Sequence, residues 1–153
     1  MTSGVVVLIS ASVLALAFGA WRLGTDGRFR GTHAVRRPAR PVDDDLTPDA
    51  APPGAELVAA VGQVLGERAT LLQFSSAFCA PCRATRRVLG GVAELVDGVA
   101  HVEIDAEHHL AATRSFGILR TPTTVVLDTS GVEVTRATGA PTRDQVLRAL
   151  AEA

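Results

Sequence analysis

Two cysteines, Cys79 and Cys82, stand in the run Phe78-Cys79-Ala80-Pro81-Cys82, and the sequence has no others. A cross-link at that spacing closes too short a loop to stabilise a domain much through unfolded-state entropy. A single pair is also too few for the disulfide framework of a small secreted scaffold. The spacing suits exchange chemistry: one thiolate attacks a disulfide, and the second displaces the bound partner. Zinc is the competing use of such a pair, but it needs two further ligands. His108 and His109 are available; neighbours on one helix point about 100° apart and serve a shared metal poorly. No metal is expected, and no bound cofactor beyond a redox-active Cys79-Cys82 disulfide.

Reactivity requires that the first sulfur ionise near neutral pH, which depends on the element that carries it. Thr70 to Ser75 reads as a short buried strand, and Cys79 falls where that strand has ended and a helix through about Val96 begins. At a helix start the sulfur meets unpaired backbone N-H groups and the positive end of the helix dipole, both favouring the thiolate. A pKa between ~3.5 and 7.5 is expected there. Cys82 lies one turn on, placed to resolve the mixed disulfide.

The flanking pattern alternates helices and strands, the mark of an α/β layer structure with at least one parallel pairing. Glu56 to Leu65 predicts a helix with Leu57, Val61, Val64 and Leu65 on one face. Val99 to Ile104 follows as a strand, His108 to Phe116 as a short helix, Thr123 to Leu127 and Val132 to Thr138 as strands around Ser130-Gly131, and Thr142 opens the last helix. Asp105, just after a strand, reads as a turn or cap residue. Arg83, Arg86 and Arg87 read as the wet face of the helix that follows Cys79.

In order and spacing, Phe74, Phe78-Cys79-Ala80-Pro81-Cys82-Arg83, Thr121-Pro122-Thr123 and Gly139-Ala140 resemble the thioredoxin family over residues 55–153. The resemblance implies a central mixed sheet of about four strands flanked by helices, with Cys79 as nucleophile and Cys82 as resolving residue. It implies a cis bond before Pro122 facing the cysteines. It also implies a substrate groove lined by Phe78, Pro81, Thr121, Pro122 and Gly139. Three departures stand out. Phe78 occupies the usual tryptophan position, which keeps an apolar rim and loses an indole donor. Gln73 stands where the family has a buried aspartate that accepts the proton of the second cysteine. Glu103, nearest by strand position, is the possible proton acceptor in its place. Arg87 is near the place of a helix-bending proline. The family's first strand is not legible before Glu56, so it is either missing or built from linker residues.

The N-terminal part is different in kind. Gly4 to Trp21 carries no charge, long enough as a helix to cross a bilayer core, with Trp21 at the interface. A cleaved signal peptide competes, but Met-Thr-Ser-Gly lacks a basic residue. Residues 1–22 are therefore expected as a transmembrane anchor, 23–54 as an Arg- and Pro-rich linker, and 55–153 as the folded domain. Arg22, Arg28, Arg30, Arg36, Arg37 and Arg40 follow the span, and by the positive-inside rule they place the domain on the cytoplasmic side. Formal net charge is -1, which argues against nucleic-acid binding.

These readings converge on a single-pass membrane thiol-disulfide oxidoreductase that reduces protein disulfides. The electron donor would resemble a thioredoxin reductase. Two alternatives stay open: an extracytoplasmic tethered reductase serving cytochrome c maturation or exported thiols, and a redox-slow interaction module on the same fold.

Overall fold

The computed structural model describes residues 2–31 and 51–153. Its elements in chain order are α1 (Thr2–Thr25), β1 (Phe29–Gly31), α2 (Pro53–Ala60), β2 (Ala69–Ser75), α3 (Ala80–Leu95), β3 (Val99–Asp105), α4 (Leu110–Ser115), β4 (Thr123–Leu127), β5 (Glu133–Thr138) and α5 (Arg143–Ala151). Arg36, Arg37, Arg40 and the proline-rich stretch before residue 51 lie outside the described residues.

The sheet runs β1-β5-β4-β2-β3. β2 and β3 are parallel, joined by a crossover through α3, whereas β4 is antiparallel to β2 and β5 to β4. The four-stranded mixed sheet expected from the sequence is thus present. β1 extends it, pairing antiparallel with the edge of β5. That strand is built from the segment expected to be linker. Its three residues are too short to show an alternating pattern, and their strand form follows from the edge they meet.

Strand alternation divides the core between the two faces of the sheet. On one face Leu72, Phe74, Val102, Ile104, Val125 and Leu127 pack with Leu57 and Val58 of α2 and with Phe116. On the other, Leu71, Val99 and Val126 pack with Leu89 and Val92 of α3 and with Val146 and Leu150 of α5. α5 opens with a capping box, Thr142 accepting from the N-H of Gln145 while the Gln145 side chain accepts from the N-H of Thr142.

One expected helix is shorter than its pattern. α2 stops at Ala60 with Val61 as its cap, and Gly62 adopts φ 71°, the left-handed turn that ends helices. Val61 and Leu65 still reach the core from the following turn. Val64, expected on the inner face, is 81% exposed because the helical period has ended before it.

Candidate active site

β2 is buried throughout and leads through Ser76 to Phe78 into α3. Cys79 is the N-cap of α3, and its sulfur accepts the N-H of Cys82 at 3.1 Å. Pro81 sits in the first helical turn, where the N-H it lacks would have had no helical partner. The two cysteines form a disulfide with Cα atoms 5.2 Å apart. Their surroundings differ: Cys79 is half-buried and Cys82 is 2% exposed.

Around Cys79 the rim is assembled from separate loops. Phe78 projects almost fully into solvent, 97% exposed. The hydroxyls of Ser76 and Thr121 share a hydrogen bond at 3.3 Å, tying the loop after β2 to the loop before β4. The Thr121-Pro122 peptide is cis. Pro122 is buried, and its carbonyl accepts the N-H of Gly139 at 2.8 Å. Hydrogen bonds therefore join the segments of Gly139, Pro122 and Thr121 in series to the loop that leads into Phe78, Cys79 and Pro81. Gly139 is itself buried, with the carboxyl of Asp26 lying over it.

Beneath Cys82 lies a polar layer. Gln73 alternates with Leu72 and Phe74 and so faces α3, fully buried. Its amide Nε2 is 2.6 Å from Ser75 Oγ, 3.1 Å from the Cys82 carbonyl and 3.4 Å from Glu103 Oε1. Its Oε1 meets His101 Nε2 at 3.1 Å, so that nitrogen carries the donated proton. The parallel register explains the grouping: Leu71 is opposite His101, Gln73 opposite Glu103, and Ser75 opposite Asp105. Glu103 also pairs with Arg86 of α3 at 2.5 Å.

The charges follow from these contacts. Burial by itself would raise the pKa of Glu103, but hydrogen bonds from Arg86 and Ser75 and the guanidinium charge outweigh it and hold the carboxyl below its ordinary range. Burial pushes the His101 imidazole down, against the pull of Glu103 and with the push of Arg86. Near neutral pH the layer therefore contains a carboxylate and a neutral imidazole. A cleft of about 320 Å³, lined among others by Ser75, Cys82, Arg83, Arg86, Glu103 and Asp105, opens beside it. That volume holds about ten waters. Glu103 and Cys82 thus share one wet cleft and one hydrogen-bonded amide.

Comparison with known proteins agrees with this geometry. Residues 59–153 match the model of the thioredoxin-like domain family. The chain belongs to that family. Similar solved structures are thioredoxins from Nicotiana alata (24% identity, 56% of this chain and 73% of that one, TM-score 0.51), Fasciola hepatica (21%, 63% and 86%, 0.51) and, as a mutant, Halobacterium salinarum (22%, 66% and 91%, 0.53). At these identities the likeness concerns the fold. A search of curated proteins finds no match. A thioredoxin-like fold with a close cysteine pair at a helix start supports thiol-disulfide oxidoreductase chemistry in general terms.

Within this thioredoxin-like frame, sequence reasoning missed His101 and the pairing of Arg86. The strand alternation of Val99 to Asp105 held the signal for His101, since it puts residues 101, 103 and 105 on the face of Gln73. Arg86, read as part of a wet helix face, is half in water and half committed to Glu103, with side-chain exposure of 60%. Asp105 is the last residue of β3 rather than the one after it, and its side chain caps the turn that follows, accepting the N-H of Glu107 at 2.9 Å and contacting His108 Nδ1 at 2.8 Å.

Proposed function

We propose that the chain is a membrane-anchored dithiol reductase of protein disulfides. The observation that carries this reading is the contrast within the cysteine pair: an accessible sulfur receiving a helix N-H, and a shielded sulfur one turn away. In the reduced protein the Cys79 thiolate attacks a substrate disulfide, forming a mixed disulfide and releasing one substrate thiolate that takes up a proton. Cys82, losing its proton, attacks Cys79 Sγ, expels the second substrate thiol and closes the Cys79-Cys82 disulfide. Two electrons pass to the substrate. Glu103 is proposed as acceptor of the Cys82 proton through the shared cleft, in the place of the family's aspartate. Phe78, Pro81, Thr121, Pro122 and Gly139 are proposed as the lining of the substrate groove.

The anchor reading is supported by α1, whose window Gly4–Arg22 spans 19 residues with mean hydropathy 2.2 and has no residue buried within the molecule. The N-terminal Met-Thr-Ser-Gly, which lacks a basic residue, favours retention over removal as a signal peptide. With Arg22 and Arg28 behind the span, the domain is proposed to face the cytoplasm. The donor would then be a flavoprotein resembling thioredoxin reductase. Insulin reduction by the purified chain tests the activity. The wild type should precipitate insulin B chain in the presence of dithiothreitol well above background, and Cys79→Ser should fall to background; equal rates remove the reading.

A further inference from the structure

The exit of the apolar helix and the active site share one wall. α1 ends at Thr25 and β1 starts at Phe29, so residues 26–28 alone separate them. Two of these residues are held. The N-H of Gly27 donates to the Thr138 carbonyl at 2.9 Å. The Asp26 carboxylate pairs with Arg120 Nη2 at 2.9 Å, and the same nitrogen reaches the Thr138 carbonyl at 3.3 Å. Gly27 and Gly139 adopt φ 72° and 94°, where a side chain is strained. A Cβ on Gly139 would also stand 2.8 Å from the Asp26 carboxyl. Gly139 in turn bonds Pro122, and Thr121 bonds Ser76 in the loop leading to Cys79.

Helix geometry sets the height of this wall. Arg22 is the first charge after the apolar stretch, and Asp26, four residues on with its N-H still bonded to the Arg22 carbonyl, stands roughly 6 Å further along the axis. The polar layer on each side of a bilayer is about 5 to 8 Å thick. On the anchor reading, Asp26 and its partner Arg120 lie at headgroup level, and Thr121 and Pro122 follow Arg120 directly. Phe78 and Leu119, each 97% exposed, are apolar tips on the two loops joined by Ser76 and Thr121. Aromatic and aliphatic side chains suit that apolar-to-polar boundary better than open water.

We propose that the reductase is held with its groove at the membrane surface and that its substrate is a disulfide in a segment of a membrane-held protein at the same headgroup level, not a disulfide of a freely diffusing protein. The proposal rests on the reductase and anchor readings above. The absence of slack between α1 and the sheet is what commits it to this partner: a domain without a spacer sweeps no volume above the bilayer.

The test uses the full chain in phosphatidylcholine vesicles, reduced, freed of reductant and followed for a single turnover. The substrate is a disulfide-bonded peptide attached to a lipid through oligoproline spacers of roughly 10, 30 and 60 Å. The shortest spacer should react at least about tenfold faster than the longest. Inserting about twelve Gly and Ser residues between Thr25 and Asp26 should remove most of that difference by accelerating the longest. A small soluble aryl disulfide should react equally with both proteins. Rates independent of spacer length in the wild type, with the aryl disulfide still reduced, overturn the proposal alone. Rates that rise with spacer length overturn it too, because the bilayer itself then covers the rim. Failure on the aryl disulfide removes the reductase reading, and the proposal with it.

Discussion

The rim around Cys79 and the floor beneath Cys82 are neighbours built on different physical terms. The rim is backbone and apolar surface: a helix start, a cis peptide, and Phe78 standing in solvent. The floor is a layer of polar side chains from two parallel strands and a helix, in which Gln73, Ser75, His101, Glu103 and Arg86 satisfy one another. Attack needs access and a stabilised thiolate, which local backbone supplies. On the proposed mechanism, resolution needs a proton removed from a shielded thiol, a task for the side chains that distant segments bring to the cleft. Both regions carry a departure from the pattern of the resemblance, Phe78 at the rim and Gln73 in the floor, and the comparison teaches that only the second removes a proton acceptor.

Separating the two regions experimentally gives the largest effect first. Cys82→Ser leaves the rim intact and should abolish turnover while still forming a mixed disulfide, detected as a covalent adduct on a nonreducing gel. Absence of the adduct would break the assignment of attack to Cys79.

Glu103→Gln should slow the resolving step by about tenfold, less than general bases usually contribute, because Arg86 holds the carboxyl below its ordinary range. Stopped-flow decay of the mixed disulfide reads this. Alkylation of Cys79 should be unchanged, since Glu103 belongs to the floor.

His101 sharpens the comparison by pH. Its folded-state pKa is lowered, so the unfolded chain takes up the proton first as pH falls below the ordinary 6.5. This contribution to stability is complete above that value and declines beneath it until the folded imidazole also protonates. The drop in Tm from pH 7.5 to pH 5.5 should therefore be smaller in His101→Gln than in the wild type. An unchanged drop would show that His101 does not titrate within the floor.

The same contrast explains what the sequence disclosed. Cys79, Pro81 and the start of α3 are local, so spacing and strand-to-helix order located them, and β4 was placed residue for residue. Gln73 was singled out as a departure, but its partners depend on the register of β2 against β3, which no run of residues encodes alone. β1 escaped because the three residues Phe29-Arg30-Gly31 are too few to show a period, and its pairing with β5 depends on where α1 ends. The C-terminal limit of α2 was overextended because Val64 and Leu65 continue a helical pattern after Gly62 has turned the backbone.

The measurement closest to the central claim is the pH dependence of iodoacetamide alkylation of the reduced chain, with each cysteine followed by mass spectrometry. A low-pKa Cys79 modified far faster than Cys82, with its midpoint clearly below the ~8.5 of free cysteine, is the predicted result. Two thiols reacting alike, both with midpoints near that of free cysteine, would contradict it.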